Sequence, residues 1–223
     1  MEQLAKYFFN LDVMARYWPA MLEGFWMTLE IAVAVVLLGI AGGLVLAVVR
    51  AFQIRPLNWL IIFLVDLLRA IPQLVVIMLV YFALPFAGLQ LSSVVSTIVS
   101  LAAILAAVSE EIFWAGITLV PKGQWEAARS TGLGFFQTLV HVVLPQAVRV
   151  AIPPLTNWTI AITKGTALGA AVAVPEIIGQ ALSSQSIAAN PSPLTLGALM
   201  YLVIFAPLVQ ASRWVERRYG WAP

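Results

Sequence analysis

The chain has 223 residues, of which 62% are hydrophobic and only 10% are charged. Soluble domains carry about 25% charged residues, so this composition indicates a membrane protein and excludes a soluble domain as its main body. The net charge of +2 with scattered basic residues argues against nucleic-acid binding, and no cysteine with one histidine excludes disulfides and histidine-rich or thiolate metal sites.

Five stretches of the chain have the length and apolar character of membrane spans. A helix that crosses a bilayer needs about 20 mostly apolar residues. The stretches that qualify are residues 25–49, 57–86, 94–120, 147–174 and 194–211. The fourth also fits two short spans, because apolar residues flank Lys164 on both sides. The N-terminal segment carries scattered charges and too long an apolar run for a signal peptide, so its first span is predicted to stay uncleaved. We expect one all-α membrane domain over residues 1–223.

The distribution of lysine and arginine predicts the orientation of these spans, because cytoplasmic loops carry an excess of both. With five spans, one side of the membrane receives most of them: Arg50, Arg55, Lys122, Arg129, Arg149, Arg213, Arg217 and Arg218. The other side receives only Lys6 and Arg16. A sixth span would place the basic tail with the charge-poor loops. We therefore predict five spans, with the N-terminus outside and the C-terminus in the cytoplasm.

Charged residues within membrane spans are rare and mark either ion pairs or a substrate pathway, and five of those in the predicted spans are candidates for such roles. Asp66 and Arg69 are three residues apart on one helix face and are expected to neutralise each other, with a place beside the pathway as the alternative for Arg69. Glu110 and Glu111 point about 100° apart on a helix and cannot share one role. Lys164 fits an ion pair with a neighbouring helix as well as it fits contact with a substrate.

A polar stretch, residues 121–145, joins the third and fourth spans on the side that is rich in basic residues. Its first part, "PKGQWEAARSTG", is rich in helix formers and is interrupted by Gly132 and Gly134. Its second part, "FFQTLVHVV", predicts a short amphipathic helix that ends before Pro145. We expect two short helices joined by a glycine turn. The same pattern also fits a hairpin that lies on the membrane surface.

The complete spacing of this stretch resembles the EAA loop in permease subunits of bacterial ABC importers. The matching residues are Glu126, Ala127, Ala128, Gly132, Val142, Leu144 and Pro145, with valine at 142 where the family usually has isoleucine. The segments "IPQLVVIMLVYFALP", "EEIFWAGITLVPKGQWEAARSTGL" and "LPQAVRVAIPPLTNWTIAITKGTAL" extend the resemblance over nearly the whole chain. The chain is similar to the polar amino acid branch, the histidine/glutamine/glutamate-type permeases.

This resemblance implies a type I importer permease in the bacterial inner membrane, with about five transmembrane helices and a cytoplasmic coupling helix. It implies that the seven matching residues dock on a separate dimeric ABC ATPase, which holds the ATP and Mg²⁺. The other implied partners are a second permease subunit, identical or related, a periplasmic or lipid-anchored amino acid-binding protein, membrane lipid and the amino acid itself. The implied substrate pathway candidates are Asp66, Arg69, Glu110, Glu111 and Lys164.

The chain itself is not expected to be an enzyme. The segment "TKGTALG" lacks the Gly-Lys-Ser/Thr ending of a phosphate-binding loop, so no catalytic residue, metal or cofactor is expected here. An ion channel or a secondary amino acid carrier would use the same charges within the spans. Neither would need a dock for an ATPase, so an importer permease is the preferred function.

Overall fold

The computed structural model describes residues 6–219, and its regular structure there is entirely helical. The α-helices are α1 (Leu11–Ala51), α2 (Arg55–Ala70), α3 (Gln73–Met78), α4 (Ser93–Leu119), α5 (Lys122–Ser130), α6 (Phe135–Thr138), α7 (Leu144–Lys164), α8 (Ile177–Ala188) and α9 (Ser192–Tyr219). Wider π turns occupy Leu79–Ala83 and Leu139–Val143, and tighter 3₁₀ segments occupy Leu84–Ala87 and Gly165–Val172.

Among the described residues, four helical segments are long and apolar enough to cross a membrane: Lys6–Ala51, Ser93–Leu119, Phe135–Val172 and Ser192–Arg218. A fifth candidate is a bent pair, Arg55–Ala70 with Gln73–Ala87, which is bent by 107° at its break and fits a broken span or a re-entrant loop. These segments confirm the predicted all-α membrane fold. The first begins much earlier than the predicted residue 25, because its helix continues through the more polar N-terminal residues.

The predicted second span, residues 57–86, is not one continuous helix. α2 ends at Ala70, and α3 begins at Gln73 directly after Pro72. Proline has no N–H to donate and disfavours helical geometry at the residue before it, here Ile71, so the helix breaks at this point. Beyond Met78 the segment passes through a π turn and a 3₁₀ turn and stops at Gly88, whose φ is +83°.

The fourth span is one long helix, so the reading as two short spans is wrong. α6, its π turn, α7 and the following 3₁₀ segment run without a break from Phe135 to Val172. The predicted separate helix at 135–143 is therefore the start of this span, and Pro145 does not end it. The π turn lies directly before the proline, and the Gln146 side chain donates a hydrogen bond of 2.8 Å to the Val142 carbonyl. Such a turn accommodates a proline that interrupts the regular ladder.

The described chain divides into two compact units. The first contains residues 6–36, Ile71–Ala102 and Ile160–Val209, and the second contains Leu37–Ala70, Ala103–Thr159 and residues 210–219. Each unit has its own buried core. The core of the first unit includes Met21, Ile177, Ala181, Met200 and Phe205. The core of the second includes Ala47, Phe113, Ile117, Leu139 and Val143.

Within the second unit, small residues bring α1 and α4 close together. A Cβ atom on Gly43 would lie 2.4 Å from the Ser109 Cβ and 2.7 Å from the Ala106 carbonyl oxygen, so no side chain fits there. Close backbone approach of this kind lets membrane helices gain van der Waals contact in a solvent that is as apolar as their own side chains. The two helices therefore bring their polar residues within reach of each other.

One consequence of this close approach is a buried ion pair. Glu110 on α4 is fully buried, and Arg50 in the last turn of α1 reaches it, with Nη1 lying 2.9 Å from Oε1 and 3.2 Å from Oε2. The guanidinium also lies over the ring of Trp114, 4.6 Å from its centroid. Removing one partner of such a pair leaves the other charge buried alone, which is strongly destabilising.

We expect Arg50→Met to lower the free energy of unfolding by about 3–5 kcal/mol, because Glu110 would stay buried without its counter-ion. Arg55→Met is the matched control, since Arg55 is exposed and forms no ion pair with the residues that the structure describes. Thermal unfolding in detergent and abundance in the membrane measure the effect. Partial recovery in the double variant Arg50→Met/Glu110→Gln is expected, and equal stability of the two single variants would contradict the role of the pair.

Candidate functional site

The second charge pair joins α2 to α4. The Arg69 Nη1 lies 2.7 Å from the Glu111 Oε2, and the two side chains are 39% and 48% exposed. Arg69 therefore pairs with a carboxylate of another helix, and not with Asp66 as expected. Asp66 is exposed and has no ion pair within the described part of the chain. The packing of α2 beside α4 determines that Glu111 is the partner of Arg69, and residue spacing along one helix does not predict such a pair.

The two neighbouring glutamates have separate environments, as their positions on a helix predict. Glu110 is fully buried against Arg50, whereas Glu111 is half-exposed beside Arg69. The ion pair accounts for Glu110 without any ligand. Arg69 and Glu111 remain accessible from the surface of the isolated chain.

Lys164 is the last residue of α7, at the point where the long helix changes geometry. The α-helix ends at Lys164, and a tighter 3₁₀ segment begins at Gly165. A Cβ on Gly165 would lie 2.6 Å from the Gln73 Oε1, so this glycine lets the start of α3 approach closely. Lys164 is exposed and has no acidic partner among residues 6–219; its Nζ lies 5.7 Å from the centroid of the Phe205 ring.

The loop between α4 and the long helix contains the glycine turn that the sequence predicts. α5 begins after Pro121 and ends at Ser130, and Gly132 then reverses the chain with a φ of +93°. Only glycine adopts this conformation freely, because a Cβ would clash with the backbone. Gly134 precedes the next helix, and its N–H donates to the Gln137 Oε1 over 3.0 Å.

Aromatic side chains attach this loop to the rest of the second unit. The Trp125 ring on α5 stacks on Phe135 with centroids 5.5 Å apart, and Phe135 also contacts Phe52, whose centroid lies 5.4 Å away. α5 is therefore attached to the end of α1 and to the first turn of the long helix. Such ring contacts stabilise the packing beyond the apolar area that they bury.

The structure separates the loop residues singled out from the sequence into an outward and an inward set. Glu126, Ala127, Gly132 and Pro145 are exposed, Val142 and Leu144 are partly buried, and Ala128 is buried. Ala128 therefore attaches α5 to the body of the unit. The exposed Glu126 and Ala127 remain available for a partner.

One polar residue of the first unit escaped the sequence analysis. Glu176 is fully buried at the N-terminus of α8, where its Oε1 accepts a hydrogen bond from the Gly179 N–H over 2.8 Å and its Oε2 accepts one from the Tyr201 hydroxyl over 2.6 Å. Burial raises the pKa of this carboxyl above its usual value, although the hydrogen bonds act in the opposite direction. The available signal was an acidic residue in the N-cap position before an apolar run.

Comparison with known proteins places this geometry in a family. The model of the family described as "Binding-protein-dependent transport system inner membrane component" matches residues 39–221. A probable glutamine ABC transporter permease of Bacillus subtilis (strain 168) is 36% identical over 200 residues, covering 88% of this chain and 92% of the relative. An L-cystine transport system permease of the same organism is 32% identical over 211 residues, covering 92% of this chain and 89% of the relative.

A solved structure shows the same fold. The crystal structure of an amino acid ABC transporter with histidines contains a chain with a TM-score of 0.83 and 28% identity, and the alignment covers 94% of this chain and 98% of that chain. ATP hydrolysis in such importers belongs to a separate subunit, so the alternatives of an ion channel and a secondary carrier are set aside. The chain belongs to the family of binding-protein-dependent transport system inner membrane components and is a membrane permease subunit of an ATP-driven ABC importer, not an enzyme.

Proposed function

We propose that this chain, as one permease domain over residues 1–223, carries a polar amino acid across the bacterial inner membrane. Relatives that cover most of its length are named for glutamine and for L-cystine, which supports an amino acid as the cargo. The proposed partners are a dimeric ABC ATPase that binds ATP and Mg²⁺, a second permease subunit, identical or related, and an amino acid-binding protein on the outer side. No nucleic acid and no cofactor bound to this chain form part of the proposal.

The observation that carries this proposal is the exposed helix α5, which aromatic contacts attach to the rest of the second unit. Its residues Glu126 and Ala127 point away from the unit, while the stack of Trp125 on Phe135 holds the helix in place. We propose that the ATPase contacts this surface, with Gly132, Val142, Leu144 and Pro145 fixing its angle. The loop leads directly into the helix that runs from Phe135 to Val172, so a movement of α5 acts on the first turn of a membrane span. A short rigid element of this kind is suited to transmitting a rigid-body movement.

Gly132→Val tests this coupling. A valine at a φ of +93° is strained by about 1 kcal/mol or more, so α5 would be presented at a different angle. We expect normal membrane abundance, loss of association with the ATPase and loss of uptake. Gly132→Asn is the matched control, because asparagine tolerates positive φ better, and it should keep most of the activity. Wild-type uptake by Gly132→Val at normal abundance would contradict the coupling role.

We further propose that the exposed charges of the spans line the substrate pathway or face the second permease subunit. Asp66, Arg69, Glu111 and Lys164 are all exposed on the isolated chain, although they belong to segments that cross a membrane. Charges at membrane depth face a water-filled cavity or another protein, because lipid cannot solvate them. Glu110 is the exception among the five candidates, since Arg50 covers it.

Lys164→Met removes the charge of the pathway candidate and keeps the length of its side chain. We expect normal abundance and normal association with the ATPase, because Lys164 has no acidic partner among residues 6–219, and uptake at least about tenfold lower, because the proposed pathway uses its charge. Lys6→Met, at an exposed lysine near the N-terminus, is the control. The measurement is uptake of radiolabelled amino acids by the reconstituted complex. Unchanged uptake in Lys164→Met would remove this residue from the pathway.

The excess of basic residues on the loops next to α5 supports an orientation with the N-terminus outside and the C-terminus in the cytoplasm. Cysteine labelling tests it on a clean background, because the chain has no cysteine. Ser186→Cys and Ser130→Cys both lie at exposed positions, on α8 and α5. A membrane-impermeant maleimide should label the first in intact cells and the second only after permeabilisation. The reverse pattern would overturn the orientation.

A further inference from the structure

A chain of contacts in the first unit connects Lys164 to a buried carboxylate. The Lys164 Nζ lies over the Phe205 ring, 5.7 Å from its centroid. Phe205 is stacked on Tyr201, with centroids 5.8 Å apart and ring planes 17° from parallel. The Tyr201 hydroxyl donates to the Glu176 Oε2 over 2.6 Å. The Lys164 ammonium, the Phe205 ring, the Tyr201 phenol and the Glu176 carboxylate therefore form a continuous series of contacts.

The last member of this chain determines how α8 begins. The other oxygen of Glu176 accepts the Gly179 N–H, which is one of the free donors of the first helical turn. The Ile177 N–H donates to the Thr28 Oγ1 over 3.2 Å, so α1 holds the same turn from a second direction. A single carboxylate therefore binds both the Tyr201 hydroxyl and the N-terminus of α8. A displacement of the Tyr201 hydroxyl therefore acts, through Glu176, on the N-terminus of α8.

Glu176 and the first turn of α8 are closely packed against their neighbours. A Cβ on Gly24 would lie 3.0 Å from the main-chain carbonyl of Glu176, and one on Gly197 would lie 3.2 Å from a methyl carbon of Ile177. Ile177 and Ala181 of α8 are fully buried, in a core shared with Met21 and Met200. Close-packed interiors transmit displacement instead of absorbing it.

We propose that Phe205, Tyr201 and Glu176 are positioning residues for transport, which connect the cargo-binding state of Lys164 to the position of helix α8. This inference rests on the proposed function, in which Lys164 contacts the cargo. An anionic group of the cargo, the carboxylate of an amino acid, competes with the Phe205 ring for the ammonium. When the ammonium leaves the ring, the stacked rings lose one of their supports, and the Tyr201 hydroxyl carries the change to Glu176 and the first turn of α8.

A merely structural hydrogen bond between Tyr201 and Glu176 would give a different result from a positioning role. A structural bond affects abundance and thermal stability independently of the charge on Lys164. A positioning chain affects the cargo concentration for half-maximal uptake, and it does so only while the Lys164 ammonium is present. The two roles are therefore separated by a double-mutant cycle on that concentration.

The experiment uses the complete importer, reconstituted in liposomes with its ATPase and binding protein. The probe is the radiolabelled L-amino acid that the wild-type complex takes up fastest from a panel. Tyr201→Phe removes only the hydroxyl, and Tyr7→Phe is the matched control at an exposed tyrosine. We expect Tyr201→Phe to change the half-saturating concentration by at least fivefold and Tyr7→Phe to leave it unchanged. In the Lys164→Met background, Tyr201→Phe should have no further effect.

A second variant keeps the test decisive if Tyr201→Phe accumulates poorly. Phe205→Leu keeps an apolar side chain but removes the ring, and it should reproduce the change in half-saturating concentration. An unchanged concentration in both Tyr201→Phe and Phe205→Leu would overturn the positioning chain. So would a Tyr201→Phe effect that persists in full beside Lys164→Met, and in that case the pathway role of Lys164 would stand. Wild-type uptake by Lys164→Met would overturn the pathway role, and the positioning chain with it.

Discussion

The lipid interior cannot hydrogen-bond to a polypeptide backbone, so the backbone N–H and C=O groups of a spanning segment have to be paired within the protein. This constraint accounts for the helical structure of residues 6–219 and for the places where the helices change geometry. The break at Ile71–Pro72 and the π turn before Pro145 both lie where a proline removes a donor. At the second place, the Gln146 side chain binds the Val142 carbonyl and supplies a partner from within the chain.

The same irregular places position the residues that we connect with transport. Lys164 stands where the α-helix becomes a 3₁₀ segment, and the close contact of Gly165 with Gln73 brings the broken second span to that point. The loop that carries α5 leads into α6, which begins at Phe135 and precedes the π turn of the same long helix. Non-α backbone within a span is tolerated where protein or a polar cavity surrounds it, which is consistent with the pathway that we propose beside Lys164.

Three glutamates of the described chain are accommodated in three different ways. Glu110 is buried and neutralised by Arg50, Glu111 is half-exposed and paired with Arg69, and Glu176 is buried with neutral donors. A buried pair is costly to break and holds the helices in one arrangement. We propose that the exposed pair and Lys164, which has no acidic partner among residues 6–219, are the charges available for transport.

Sequence reasoning predicted the features that depend on local chemistry. The membrane character and the glycine turn at Gly132 both follow from residue types, and the spacing of the loop identified the family. The continuity of the helix across Pro145 was not predicted, because it depends on a π turn and a side-chain hydrogen bond from Gln146.

The partner of Arg69 and the burial of Glu176 were also not predicted from the sequence. Both depend on which helices lie side by side, and residue spacing along one helix does not report that. The helix break at Pro72 was not predicted, because the mean hydropathy of the apolar stretch is little affected by a single proline. That proline nevertheless interrupts the helical backbone.

The central claim is that the exposed face of α5 binds the ATPase. A photoreactive amino acid placed at Ala127, in membranes that contain the assembled importer, tests it directly. Irradiation followed by mass spectrometry should identify the adduct as the ATPase subunit, and the same probe at Phe86, which is 95% exposed at the end of the bent segment, should give no such adduct. Adducts at Ala127 that contain only lipid or another copy of the permease would contradict the claim.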